Sequence, residues 1–202
     1  MPVLVVQDLS LWRGATCLFD GLSFEVDAGA ALLLRGANGT GKTSLLRVLA
    51  GLTLPERGSI CWRGERRPGG MRGLAAYNGH SSALNADLTV LRNLEFYARL
   101  CGWQGDLGVL IDELGLGAIR DLELRYLSAG QRRRGGLARL LMSDCPIWLL
   151  DEPFTNLDAA GRRLVGEYID RHLGSGGLAV IAVHDPMTLA SPAVATLRLG
   201  VD

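Results

Sequence analysis

Gly36-Ala37-Asn38-Gly39-Thr40-Gly41-Lys42-Thr43 has the spacing G-x-x-x-x-G-K-[ST], and these residue types can together hold a phosphate chain. Glycines let successive backbone N–H groups wrap an anion, and the start of a following helix favours negative charge. Lys42 is placed to reach the β- and γ-phosphates, and the Thr43 hydroxyl to bind Mg²⁺. Ser44 opens the helix that follows and joins the same nucleotide-binding set. The stretch predicts a bound nucleoside triphosphate.

A second group of residues supplies reactive chemistry. Asp151 and Glu152 follow the apolar run Ile147-Trp148-Leu149-Leu150, which puts two carboxylates at a strand tip. The first can hold Mg²⁺ and the second can polarise an attacking water. His184 also ends an apolar run, so in a parallel sheet it reaches the same rim, where it can contact the γ-phosphate or the water. Leu127-Ser128-Ala129-Gly130-Gln131 precedes a helix bearing Leu137, Leu140 and Leu141. A serine hydroxyl, a glycine and a helix start make a second anion site there. It has no lysine of its own. A head-to-tail pair of chains resolves this, each phosphate loop being closed by Ser128 and Gly130 of the other copy.

The elements that must position these groups follow from pattern. Ala30 to Leu34 reads as a buried strand entering the loop, and Ser44 to Ala50 as a helix that Gly51 ends. Upstream, Val3 to Val6, Leu9 to Trp12 and Leu22 to Val26 read as strands, the last alternating apolar and polar. Ser59 to Trp62 and Leu74 to Asn78 add two more, with Glu65 to Gly73 as a surface loop between them. Thr89 and Asp106 can each cap a helix, and residues 84 to 140 show helices and turns without a strand. Asp158 can cap a helix whose inner face carries Leu164, Val165, Tyr168, Ile169 and Leu173. Leu178 to Val183 is the clearest buried strand, and Ala193 to Leu199 adds a last one. Strands alternating with helices predict an α/β fold with a mostly parallel sheet. Arg132 to Arg134 read as a solvated helix face and His172 as an inert surface position. Gly135-Gly136 inside a helix costs about 1–2 kcal/mol relative to alanines, and the sequence offers no reason for it.

Bulk properties narrow the classes. Lys+Arg and Asp+Glu are 21 each in 202 residues, a balance that gives no electrostatic reason to expect nucleic acid. No apolar run is long enough to span a bilayer. The start, Met1 to Asp8, lacks the basic and apolar regions of an export signal. The four cysteines are widely spaced and read as reduced thiols.

Taken in order, these motifs resemble those of the ATP-binding subunits of ABC transporters, over essentially the whole chain. Gly36 to Thr43 resembles Walker A, Leu127 to Gln131 the LSGGQ signature with alanine for its first glycine, and Ile147 to Glu152 Walker B. Thr155-Asn156-Leu157-Asp158 resembles the D-loop, and His184 the switch histidine. Within that superfamily the short chain, the Leu-Ser-Ala-Gly-Gln signature, Gly79-His80 in place of the usual glutamine, and Asp151 to Thr155 resemble the haem exporter ATPases of cytochrome c biogenesis. The resemblance implies a P-loop NTPase fold. A single ABC ATPase domain would span residues 1–202, with an N-terminal antiparallel β region, a mostly parallel core sheet and a helical subdomain at about 84–140. It implies ATP and Mg²⁺ as cofactors, a homodimer on ATP binding, and integral membrane transporter subunits as partners. The place of work would be the cytoplasmic face of the inner membrane. It also implies that His80 takes over the Q-loop position, and that the residue stacking on the base falls near Arg13, beside Trp12. Two alternatives stand: an ABC ATPase for another cargo, and a nucleotide-gated dimerisation module with negligible hydrolysis. The intact Glu152 disfavours the second.

Overall fold

The computed structural model describes residues 2–184, 189, 191 and 193–200. They group into two compact units: Met1–Tyr77, Cys145–Glu152 and Tyr168–Asp202 in one, Asn78–Asp144 and Pro153–Glu167 in the other.

In the first unit β1 (Pro2–Arg13) pairs antiparallel with β2 (Thr16–Asp27) on one side and with β4 (Arg57–Trp62) on the other. β5 (Glu65–Arg66) completes a sheet of order β2-β1-β4-β5. The two strands expected over Val3–Val6 and Leu9–Trp12 are thus one strand. It is broken in register rather than in course, since Asp8 takes φ 50° and the pairing shifts between Val6 and Leu9. Such an irregularity re-aims the side chains, so that the alternation restarts.

The second sheet has the order β6-β7-β8-β3-β9, built from β3 (Ala31–Arg35), β6 (Ala75–Asn78), β7 (Ile147–Asp151), β8 (Leu178–Ala182) and β9 (Val194–Arg198). β3 runs parallel to both β8 and β9, and β7 runs parallel to β8. The inner strands β7 and β8 are buried along their full length, which is why they read as unbroken apolar runs. β6 lies at the sheet edge and is only half-buried over most of its length. Helix α1 (Lys42–Leu49) packs Leu45, Leu46, Val48 and Leu49 into the core that both sheets share with Leu4, Ile60 and Leu149. The expected surface loop at Glu65 to Gly73 dips inward: Met71 is fully buried and its N–H donates to Leu49 O.

The second unit is helical. α2 (Val90–Cys101) is capped by the Thr89 hydroxyl, which accepts from Arg92 N at 3.2 Å, and it ends at Gly102 in the left-handed region. α3 (Leu107–Glu113) is capped by Asp106. α4 (Ala129–Leu141) begins in a reciprocal capping box, Ser128 accepting from Gln131 N while Gln131 Oε1 accepts from Ser128 N. α5 (Ala159–Gly174) starts in this unit after Asp158, whose carboxylate accepts from Gly161 N at 2.8 Å, and from Tyr168 onward it belongs to the first. Two turns of 3₁₀ helix, Gly117–Ile119 and Leu124–Tyr126, precede α4, and the described residues between 84 and 140 form no strand beyond an isolated bridge of Thr89 to Glu123.

The glycine pair in α4 now has a physical reason. A Cβ on Gly135 would sit 3.1 Å from Leu84 Cδ1, and one on Gly136 would sit 3.3 Å from Ser82 Cβ and 3.4 Å from its Cα. Close approach of the Ser82 backbone demands the small residue at the cost of helix propensity.

Candidate functional site

The loop after β3 leads straight into α1 through Gly41, which takes φ 98°, a conformation that only glycine adopts without strain. Gly36 is tighter still: a Cβ there would lie 2.2 Å from Leu199 O. The loop is closed on its own lysine. Lys42 Nζ donates to Gly36 O at 2.7 Å and to Ala37 O at 2.8 Å, and Thr40 Oγ1 donates to Ala37 O at 3.0 Å. Lys42 is 6% exposed. Burial pushes its ammonium below the usual lysine range, while the charges of Glu152 and Asp151 pull it back up.

Asp151 ends β7 and is buried, and Glu152 follows with its N–H donating to Ala182 O at 3.0 Å. Glu152 holds φ 51°, a strained setting for a non-glycine residue. His184, two residues past the end of β8, brings its Nε2 to 2.8 Å from Glu152 Oε1. One cavity of about 320 Å³ is lined by Asn38, Gly39, Gly41, Lys42, Thr43, Ser44, Glu152 and His184, together with Arg13 and Leu18. Residues from four stretches of sequence therefore meet: the phosphate loop, the acidic tip of β7, the histidine after β8, and the β1–β2 hairpin. A cationic lysine, the backbone amides of a glycine loop, a hydroxyl and a carboxylate around one cavity can bind a polyphosphate and activate a water at its end.

Among the described residues no cluster of three His, Cys, Asp or Glu side chains could hold a metal by itself. The Thr43 hydroxyl and the Asp151 carboxylate are hard oxygen donors, a set that suits Mg²⁺ completed by phosphate oxygens and water.

His80, Ser128, Gly130 and Gln131 belong to the helical unit. Ser128 is exposed, and Gly130 is held against the neighbouring loop, where a Cβ would lie 2.6 Å from Asn156 O. Gln131 uses its side chain to cap α4. His80 is exposed, and its carbonyl accepts from Arg133 Nη1 at 3.3 Å. His80, Thr155, Asn156, Arg132 and Arg133 share a second cavity of about 310 Å³.

Two expectations are corrected. Arg133 is no solvated side chain: it is 8% exposed and also donates to Gly79 O at 2.8 Å, while Arg134 donates to Leu114 O. The spacing Arg133, Leu137, Leu140 places the arginine on the buried stripe of α4, a signal that the charge run concealed. His172 is no surface residue either. Its ring stacks on Trp148 at 4.1 Å and 8°, and its Nε2 lies 3.1 Å from Leu178 O. Leu18 was invisible as a site residue, because a lone leucine on a strand carries no chemical signature. The four cysteines form no disulfide with one another.

The chain matches the family described as ABC transporter over residues 19–155. It is similar to the cytochrome c biogenesis ATP-binding export protein CcmA of Xanthomonas axonopodis pv. citri, with 45% identity across 100% of this chain and 94% of that protein. The protein of the same description from Rhizobium johnstonii is 42% identical, over 92% of this chain and 90% of its own length. A solved structure of the ATP-binding subunit of an ABC transporter superposes with a TM-score of 0.80 at 26% identity, covering 90% of this chain and 79% of that one. A putative ABC transporter ATP-binding protein from Pyrococcus furiosus, 23% identical, shares the fold with a TM-score of 0.81 over 97% of this chain and 96% of its own.

Proposed function

The chain belongs to the ABC transporter family, among its cytochrome c biogenesis ATP-binding export proteins, and from that premise we propose that it hydrolyses ATP to drive haem export for cytochrome c maturation. The observation that carries the reading is the single cavity shared by Lys42, Thr43, Glu152 and His184. In this reading the loop amides and Lys42 bind the phosphates, and Lys42 gives up its two loop carbonyls to do so. Thr43 and Asp151 hold Mg²⁺, which when bound neutralises phosphate charge. Glu152 orients and deprotonates the attacking water, and His184 contacts the γ-phosphate from the position where it now meets Glu152.

The exposed start of α4 supports a head-to-tail homodimer in which Ser128 and Gly130 of one copy close the phosphate site of the other. His80 takes the Q-loop role. No described helix is long and apolar enough to cross a membrane; in this reading integral membrane subunits supply the passage and the chain acts at the inner face of the inner membrane. The test is complementation of a strain lacking its own cytochrome c biogenesis ATPase, read by haem staining of c-type cytochromes. Wild-type chain should restore staining and Lys42→Ala should not. Equal restoration by both, or restoration by neither with a folded wild-type chain, would refute the assignment.

A further inference from the structure

The stretch that leaves β6, Gly79 to Ala83, is held by its carbonyls. Arg133 Nη1 donates to Gly79 O at 2.8 Å and to His80 O at 3.3 Å. Further along α4, Arg139 Nη1 donates to Ser82 O at 3.2 Å, and its guanidinium lies 4.4 Å from the centre of the Tyr97 ring. The Tyr97 hydroxyl of α2 in turn donates to Ala83 O. Between these anchors Gly136 leaves room for the Ser82 backbone. The carbonyls are thus tied to α4 and α2, while the side chains of His80 and Ser81 stay exposed.

Arg133 is the anchor that packing explains least. It sits on the buried stripe of α4 with Leu137 and Leu140 and is 8% exposed. An apolar side chain there would take no charge out of water, and exchanges of buried charge for apolar bulk are often neutral or stabilising. Arg139 differs, being half-buried and braced by an aromatic ring. What Arg133 adds over a leucine is a charged donor, and charge-assisted hydrogen bonds are the strong kind. Its two acceptors are successive carbonyls. Gly79 O belongs to the rigid peptide plane before the His80 Cα, and His80 O to the plane after it. Fixing both planes fixes the direction in which the imidazole leaves the chain.

Resting on the reading that gives His80 the Q-loop role, we propose that Arg133 is a positioning residue for hydrolysis, holding the two peptide planes around His80 and so aiming its imidazole. The experiment is a double-mutant cycle on the full chain, with kcat and KM for ATP and a urea midpoint measured for each variant. Arg133→Leu keeps the apolar stripe and removes the donor. It should lower kcat by about tenfold or more with the urea midpoint unreduced, and KM should stay within about threefold of wild type. Arg133→Lys, which still brings a donor nitrogen toward the carbonyls, should recover most of that loss. His80→Ala should lower kcat too, and adding Arg133→Leu to it should lower kcat little further, because both changes disable one group. Arg133→Met provides the same reading if Arg133→Leu does not fold. Wild-type turnover in Arg133→Leu, a loss that multiplies with that of His80→Ala, or a loss that tracks a lowered urea midpoint in both apolar variants overturns the proposal and leaves the role of His80 standing. If His80→Ala itself hydrolyses ATP normally, the Q-loop reading falls and the proposal falls with it.

Discussion

At the scale of single residues, the proposed mechanism divides binding and hydrolysis between Lys42 and Glu152, which line the same cavity. Lys42→Ala removes the cation from the phosphates and should lower ATP affinity by about 100-fold or more, measured by calorimetry. Glu152→Gln keeps shape and polarity but removes the base. Its ATP affinity should stay within a few-fold of wild type while steady-state hydrolysis falls by about 10²–10⁴. Near-normal turnover in the second variant would move the base elsewhere. That these two residues line one cavity was readable from sequence, because one sits in a glycine-loop motif and the other at the tip of an apolar strand run. Arg133 was not, because three consecutive arginines look alike until helical phase is assigned, and only the middle one is buried against Gly79 O. His172 was misread for a related reason: a histidine near a helix end carries no sign of the tryptophan that covers it from another strand.

At the scale of elements, helix α4 gives up propensity for contact and helix α5 does not have to. Gly166 of α5 has nothing within 4 Å of an added Cβ, so Gly166→Ala should stabilise the fold by about 1 kcal/mol. Gly136→Ala meets the Ser82 backbone and should give no gain, or a loss, in the same denaturant titration. Equal stabilisation by both would mean that the close approach does not matter. The His172 stack ties α5 to β7 and adds a pH dependence. Burial pushes the imidazole below the usual histidine range, with hydrogen bonds to the Leu178 and Pro146 carbonyls opposing in part. The folded state therefore binds fewer protons than the unfolded chain just below the ordinary histidine value of about 6.5. Its contribution is complete above that pH and is lost as the pH falls through it. Urea midpoints should drop more steeply on acidification in wild type than in His172→Gln, and parallel curves would exclude the residue as the cause. The α/β alternation that frames these helices was legible because buried parallel strands read as apolar runs. The full reach of β1 and β2 was not, since their register shifts interrupt the period on which strand patterns depend.

At the scale of the whole molecule, each compact unit carries its own group of candidate residues, Lys42, Asp151, Glu152 and His184 in one and His80, Ser128, Gly130 and Gln131 in the other. A strand-loop-helix motif announces itself locally, so the loop leading from β3 into α1 was legible from the chain alone. In the proposed dimer, Ser128 and Gly130 of the second group act on another copy, and a sequence carries no direct record of which copy that is. Ser128 is exposed and its hydroxyl already caps α4, so the start of that helix is built before any nucleotide arrives. Closing a site between two copies then couples association to bound ligand by mass action. The decisive measurement is sedimentation velocity of the Glu152→Gln chain with and without MgATP, beside the same chain carrying Ser128→Arg. A shift from monomer to dimer that requires ATP and disappears with Ser128→Arg is the expected result. A chain that stays monomeric with ATP bound, or a dimer indifferent to Ser128→Arg, would refute a phosphate site completed by a second copy.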